Sequence, residues 1–229
     1  MIKIAIIIPV HGREEVTAIC EKALMSHCEA LTPYDIDATP FHIPDNISRD
    51  ESLGMKLNNG VQHTKHYTKW DYLMVIGSDD LLRPQIWGYI RTAIDEGLQF
   101  FGFNECVVYD RINHKAKTWN HGPNTIGAAR CISRKLVEAC DWVMWDNDKT
   151  NGIDSNQESI VFSKTGVYPH IIPTLRPVIC DIKDDDNLNS FDQVPGIEAN
   201  VERIRKDFPA LEAWPIVENK PLWVATTTG

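Results

Sequence analysis

The stretch Trp70-Asp71-Tyr72-Leu73-Met74-Val75-Ile76-Gly77-Ser78-Asp79-Asp80 decides how the rest of this 229-residue chain is read. From Asp71 to Gly77 it predicts a strand whose apolar run shows no polar alternation. That is how a strand buried on both faces reads. Ser78-Asp79-Asp80 then stand directly beyond its carboxyl end. Adjacent carboxylates repel unless they are solvated or neutralised. One reading is a solvated turn in which an Asp caps the next helix. The other is a site for Mg²⁺ or Mn²⁺, which take one or two carboxylates plus diphosphate oxygens. Spacing alone leaves both open.

Upstream, Ile2 to Ile8 is β-branched and nearly continuous in apolar character, a second doubly buried strand ended by Pro9. Val16, Ile19, Cys20, Ala23, Leu24 and Leu31 recur at helical spacing. Ile36 to Ile43 predicts a strand ending at Pro44-Asp45, and Leu53, Leu57 and Val61 mark a helix from about Asp50 to Tyr67. Downstream, Pro84 suits a first helical position, with Ile86, Ile90 and Ile94 as the apolar stripe behind it. Gln99 to Tyr109 predicts one or two strands. The order β-α-β-α-β-α-β argues for an α/β, mostly parallel sheet flanked by helices. Ligands bind such sheets beyond the carboxyl ends of the strands. Pro9 to Arg13, Asp45 and Ser78 to Asp80 all fall there.

The second half is less regular. Asn113 to Asn124 is loop-like with a hairpin as one option, Ser133 to Trp142 a short helix, and Asp154 to Lys164 another closed by Gly166. Asp181 to Asp192 is acidic and read as mobile, and Val201 to Leu211 as a terminal helix. The organisation expected is a single catalytic domain over 1–176, with a nucleotide-binding half (1–110) and an acceptor and base half (111–176). A C-terminal extension over 177–229 carries the mobile acidic loop.

The composition is that of an ordinary globular protein, 43% hydrophobic and 24% charged, with a net charge of −9. No basic run offers a broad footprint for nucleic acid, whose phosphates are held by clustered Lys and Arg. The six cysteines are scattered without a CxxC pair, as reduced and mostly buried thiols are. Ile4 to Val10 is too short to span a membrane, and no cleavage-site pattern follows it. The expected location is the cytoplasm. P-loop, G-x-G-x-x-G, H-E-x-x-H and G-x-S-x-G patterns are missing, which argues against NTPase, dehydrogenase, zinc protease and α/β-hydrolase chemistry.

Four further groups are candidates for chemistry. Asp154 with Gln157 forms a D-x-x-Q capping box, and the same carboxylate is a candidate general base toward an acceptor hydroxyl. His11-Gly12-Arg13 either meets a nucleotide or simply leads into the first helix. Asp45 either accepts a base N–H or shapes a turn. Lys183, with His170, either contacts a diphosphate from a closing loop or belongs, with Asp184-Asp185-Asp186, to a solvated acidic segment. Trp142 and Trp145 flank the proposed acceptor side, as stacking faces or as core packing.

Taken in sequence order, these pieces resemble the family 2-type glycosyltransferases of GT-A fold. Ile4-Ala5-Ile6-Ile7-Ile8-Pro9-Val10-His11 is similar to that family's opening strand, Asn58-Asn59-Gly60-Val61 to its Asn-x-Gly, and Trp70 to Asp80 to the strand leading into its metal-binding D-x-D. Gly152-Ile153-Asp154 is similar to the Gly-Glu-Asp element that holds the base. The resemblance covers roughly residues 2–168. It departs at Gly77, where many members carry the first Asp, at Leu57 in place of Arg, at Ile153 in place of Glu, and at Asp45, which lacks the usual Asp-Gly-Ser neighbours.

The resemblance implies an inverting transferase that uses a sugar-nucleotide donor, a UDP-sugar first. It implies Asp80 as ligand to Mn²⁺ or Mg²⁺ with Asp79 in support, and Asp154 as base. Nucleotide contacts are expected from Pro9, Val10, His11, Arg13, Asp45, Asn58, Ser78 and Asp79. Pro177 to Ser190 also resembles small bacteriophage glycosyltransferase-like proteins, some of which modify hydroxymethylated bases in DNA, a location that would be the host cytoplasm. The acceptor stays open. DNA is one option, which the net charge does not support, and a binding protein without turnover is another.

Overall fold

The computed structural model describes residues 1–10, 13–43, 52–66, 69–184 and 190–215. His11, Gly12, Asp45, Asp185 and Asp186 lie outside them.

Six strands form the first sheet: β1 (Ile2–Pro9), β2 (Ile36–Ile43), β3 (Tyr72–Val75), β5 (Phe100–Gly102), β8 (Arg130–Ser133) and β9 (His170–Ile171), in the spatial order β2-β1-β3-β8-β5-β9. Strand β1 pairs in parallel with β2 and with β3. Strand β8 enters antiparallel between β3 and β5, so β5 runs parallel to β3 without touching it. The uninterrupted β-α-β series expected from the sequence therefore breaks at its last strand. No strand is expected from the sequence at β8, Arg-Cys-Ile-Ser, whose last residue alone, Ser133, opens the short helix expected there.

The doubly buried reading of β1 holds. Ile4 through Ile8 are no more than 4% exposed. Alternate side chains serve two cores, as the pleat requires. Ile4, Ile6 and Ile8 pack with Leu24 of α1 (Glu14–Glu29) and with Ile86, Trp87 and Ile90 of α3 (Ile86–Asp95). Ala5 and Ile7 face Leu57 and Val61 of α2 (Leu53–His66), Leu136 and Val137 of α4 (Arg134–Ala139) and Val161 of α5 (Ile153–Thr165). Each buried Ile contributes on the order of 1.5–3 kcal/mol. Helix α4 starts at Ser133, whose hydroxyl accepts from the Leu136 N–H, and α5 ends on Gly166 in the left-handed conformation.

The second sheet has the order β11-β7-β6-β10-β4, from β4 (Asp80–Leu82), β6 (Glu105–Asp110), β7 (Lys115–Asn120), β10 (Ile179–Lys183) and β11 (Ile197–Glu198). Strands β6 and β7 make a hairpin, of which only the second strand falls within Asn113 to Asn124, where a hairpin was one option; the first belongs to the Gln99 to Tyr109 strand segment. Two expectations are corrected here. Asp79-Asp80 does not open a helix, because Asp80 begins β4. Asp181 to Lys183 is not loop but the end of β10, hydrogen-bonded to β6 on one side and to β4 on the other. Residues Val16 and Cys20 of α1, Ile204 of α6 (Val201–Asp207) and Leu211 cover this sheet. Lys183 and Asp184 are both buried, so this part of the acidic run is not a solvated loop.

Candidate active site

Parallel strands β1 and β3 end side by side, and a cleft of about 320 Å³ opens beyond their carboxyl ends. Pro9 and Gly77 come from those ends, Asp79 and Asp80 from the turn into β4, and Asp181 and Lys183 from β10. The facing residues are Ile126, Gly127 and Ala128, the first turn of α5 with Ile153, Asp154 and Gln157, and the indoles of Trp119 and Trp145.

The antiparallel register of β10 on β4 sets Asp181 opposite Asp80. One carboxylate oxygen from each of Asp79, Asp80 and Asp181 lies within 4.8 Å of the others. Two unit charges at that spacing repel by roughly 3 kcal/mol at an effective dielectric of 20. Such a cluster calls for neutralising partners, and three are seen among the described residues. Arg13 donates to Asp79 Oδ2 at 2.8 Å, Lys183 Nζ lies 2.7 Å from Asp181 Oδ2, and the Gly77 N–H donates to Asp80 Oδ2 at 2.6 Å.

Burial, then the charges of Asp79 and Asp181, hold the Asp80 carboxyl well above the ordinary carboxylate range. Burial and the charge of Asp79 push Asp181 up to about 6. Burial alone would lower the Lys183 pKa, but Asp181, Asp79 and Asp80 outweigh it and raise it. Asp181 Oδ1 is buried with no hydrogen-bond partner among the described residues. An all-oxygen set of three carboxylates with one orphaned buried oxygen fits a hard divalent cation such as Mg²⁺ or Mn²⁺.

Gly77, the departure from the D-x-D pattern, has a local cause. A Cβ there would stand 2.7 Å from both Asp79 Oδ1 and Asp80 Oδ2. Here the two carboxylates fold back over the backbone at 77, and Asp181 arrives from another strand instead.

Asp154 occupies the opposite wall. The capping-box expectation is not realised. Gly152, in the left-handed conformation, precedes α5, and no side chain caps that helix end. The Asp154 carboxylate instead accepts from the Gly127 N–H at 2.8 Å. Only a glycine permits this approach, since a Cβ at 127 would lie 2.0 Å from Asp154 Oδ1. Gln157 turns away from the helix end to accept from Arg130 at 2.9 Å.

Of the other expected site residues, Ser78 is buried behind Asp80 and borders a small void beside α1, and Val10 is tied by its N–H to the Ile43 carbonyl at 3.0 Å. Asn58 is committed to the fold. Its amide donates to the Trp145 carbonyl and Asn147, and its oxygen accepts from the Met144 and Trp145 N–H groups. It thereby fixes the segment that carries Trp145 and does not line the cleft. His170 is exposed on β9, at the edge of the first sheet and away from the cleft. Trp142 packs edge-on against Trp70 as core, whereas Trp145 lines the cleft. Cys106 also lines it, but burial and then Asp181 and Asp80 push its thiol pKa up, so it stays protonated and no nucleophile.

Two participants escaped the sequence reading. Asp181 was noted only as the start of an acidic segment, although the alternation of Ile179, Asp181 and Lys183 with Cys180 and Ile182 was a usable strand signal. Arg130 stands in a short polar-looking strand with no local signal at all.

No family model and no curated protein matches the sequence. Solved structures do match the fold. One is Drosophila β-1,4-galactosyltransferase 7, a mutant in complex with manganese, UDP-Gal and xylobiose, at a TM-score of 0.51 and 14% identity over 90% of this chain and 75% of that one. Another is S. aureus TarS 1-349 in complex with UDP-GlcNAc, at 0.50 and 10% identity over 81% of this chain and 60% of that one. The chain thus spans less than two thirds of that TarS fragment. The architecture is the GT-A-type fold of the nucleotide-sugar transferases, as the sequence resemblance implied.

Proposed function

We propose that this chain is a metal-assisted, inverting glycosyltransferase that moves a sugar from a UDP-sugar to an acceptor hydroxyl. The observation that carries the reading is the gathering of Asp79, Asp80 and Asp181 on the same cleft as the pinned carboxylate of Asp154. Asp80, with Asp79 and Asp181, would hold Mn²⁺ or Mg²⁺, which when bound supplies Lewis-acid stabilisation to the departing diphosphate. Arg13 and Lys183, already against these carboxylates, add positive charge beside the diphosphate. Pro9 and Val10 at the end of β1 and Ser78 behind Asp80 shape the nucleoside end. Asp154 takes the proton of the acceptor hydroxyl as its oxygen bonds the anomeric carbon and the bond to the diphosphate breaks. A single displacement of this kind inverts the anomeric centre. Six unpaired cysteines suit a reducing compartment, in keeping with a cytoplasmic location, and no helix among the described residues is long and apolar enough to cross a membrane.

A thermal-shift panel of UDP, UDP-Gal and UDP-GlcNAc, each with Mn²⁺ or with EDTA, tests this. A ligand that binds only the folded state raises the melting midpoint by mass action. The reading expects a rise with UDP compounds that depends on Mn²⁺. Equal rises in EDTA would remove the metal and leave Arg13 and Lys183 to hold the diphosphate. No rise with any nucleotide would end the transferase reading.

A further inference from the structure

Behind Asp154 lies a buried ionic cluster, separate from the three carboxylates of the opposite wall. Arg130 of β8 is 2% exposed, and its guanidinium grips four acceptors from three directions. One terminal nitrogen donates to the Asp154 carbonyl and to Gln157 Oε1, each at 2.9 Å. The other donates to the Thr125 carbonyl at 2.7 Å and to Glu158 Oε1 at 2.8 Å. Glu158 also accepts from the Thr125 hydroxyl at 3.0 Å.

A buried ion pair in itself is weak evidence for stability, because desolvation cancels much of the attraction. What distinguishes this one is what it ties together. Residues 154, 157 and 158 are one turn of α5 on one face, and residue 125 begins the loop that presents the Gly127 N–H to Asp154. Arg130 thus sets both partners of the only hydrogen bond seen to hold the Asp154 side chain among the described residues. Burial depresses the guanidinium's pKa, and the carboxylates of Asp154 and then Glu158 oppose it, which puts the Arg130 cation in direct electrostatic reach of the Asp154 anion.

We propose that Arg130, balanced by Glu158, is a positioning residue for Asp154: by holding the backbone at 154 and at 125 it fixes the carboxylate's place on the cleft from behind. The proposal rests on Asp154 acting as the base, but its test does not use donor or acceptor.

The Gly127 amide is a local reporter, since its proton is donated to Asp154 itself. In ¹⁵N-labelled protein with EDTA, its proton shift should be displaced and its hydrogen exchange quickened in Asp154→Ala. Arg130→Gln should quicken exchange at Gly127 by about tenfold or more, the usual scale for losing one such hydrogen bond, with amides elsewhere in the first sheet unchanged. Arg130→Lys, which keeps the charge but not the fork, should recover only part of the protection.

Gly127 exchange unchanged in Arg130→Gln, with the remaining spectrum intact, would reduce Arg130 to a structural staple. Should Arg130→Gln fail to fold, Arg130→Lys decides alone, and wild-type exchange at Gly127 there overturns the proposal. Failure of the nucleotide panel with quickened Gly127 exchange would instead leave the positioning intact and remove the transferase.

Discussion

On the wall made by β4 and β10, three carboxylates crowd together and are neutralised from the front, by Arg13, by Lys183 and, in our reading, by a cation shared with the donor. On the wall made by α5, the Asp154 carboxylate is held, among the described residues, by one backbone N–H and is backed by the buried Arg130 guanidinium. The first arrangement keeps one buried oxygen, Asp181 Oδ1, without a partner among the described residues, whereas the second is complete beforehand. That is what a divided task requires. A metal and diphosphate site must have attraction left to offer, whereas a base must already be placed when the acceptor arrives.

Substitutions on the crowded wall should have the largest effect. Asp80→Asn should lower Mn²⁺-dependent hydrolysis of UDP-Gal or UDP-GlcNAc by about 10³-fold or more, the scale of losing a metal that stabilises several kcal/mol of developing charge. Unchanged turnover would merge the two walls into one electrostatic surface.

Asp154→Asn should cost about 10²- to 10⁴-fold in transfer while leaving UDP affinity intact, as loss of a general base does. Calorimetry that found lost UDP affinity with normal turnover would move Asp154 to the donor side.

Acidity sharpens the contrast further. Asp181 titrates near 6 in the folded protein, above its unfolded value near 4. The folded state therefore holds the extra proton between these values, and stability from this group is present below about pH 4 and lost as pH rises through about 6. In EDTA, Asp181→Asn should gain stability relative to the wild type on going from pH 4 to pH 7, by about 2 kcal/mol or less. Saturating Mn²⁺ should erase that gain. A difference that is flat with pH in urea titrations would mean that the carboxylate is not held protonated.

The smallest effect is expected at Gly127→Ala. The added methyl must displace the Asp154 carboxylate, which should reduce transfer about tenfold and destabilise by about 1–3 kcal/mol as overpacking does. Normal transfer there would show that the Gly127 hydrogen bond does not place the base.

The same contrast explains what could be read from the sequence. Strands β1 and β3 and helices α1 to α3 were legible because burial on both faces leaves a continuous apolar run, and because helices over a parallel sheet repeat at a fixed period. The turn to Asp79-Asp80 was legible by its place at the carboxyl edge. Strand β10 was not, because its inward carboxylate, Asp181, reads as a solvated charge when no metal or partner strand is visible. Arg130 was hidden for the same reason: an isolated Arg predicts surface, and only the convergence of residues 125, 154, 157 and 158 from two other segments makes it interior. Asn58 was legible as a marked position, but its marking reflects four hydrogen bonds to the 144–147 segment.

The crowded wall is the centre of the account, and Mn²⁺ binding followed by electron paramagnetic resonance in the presence of UDP tests it most directly. The wild type should immobilise one Mn²⁺ per chain, with the affinity greatly weakened in both Asp80→Asn and Asp181→Asn and unaffected in Asp154→Asn. A wild-type chain whose Mn²⁺ signal stays that of the free ion, or an Asp80→Asn variant that binds as the wild type does, would contradict it.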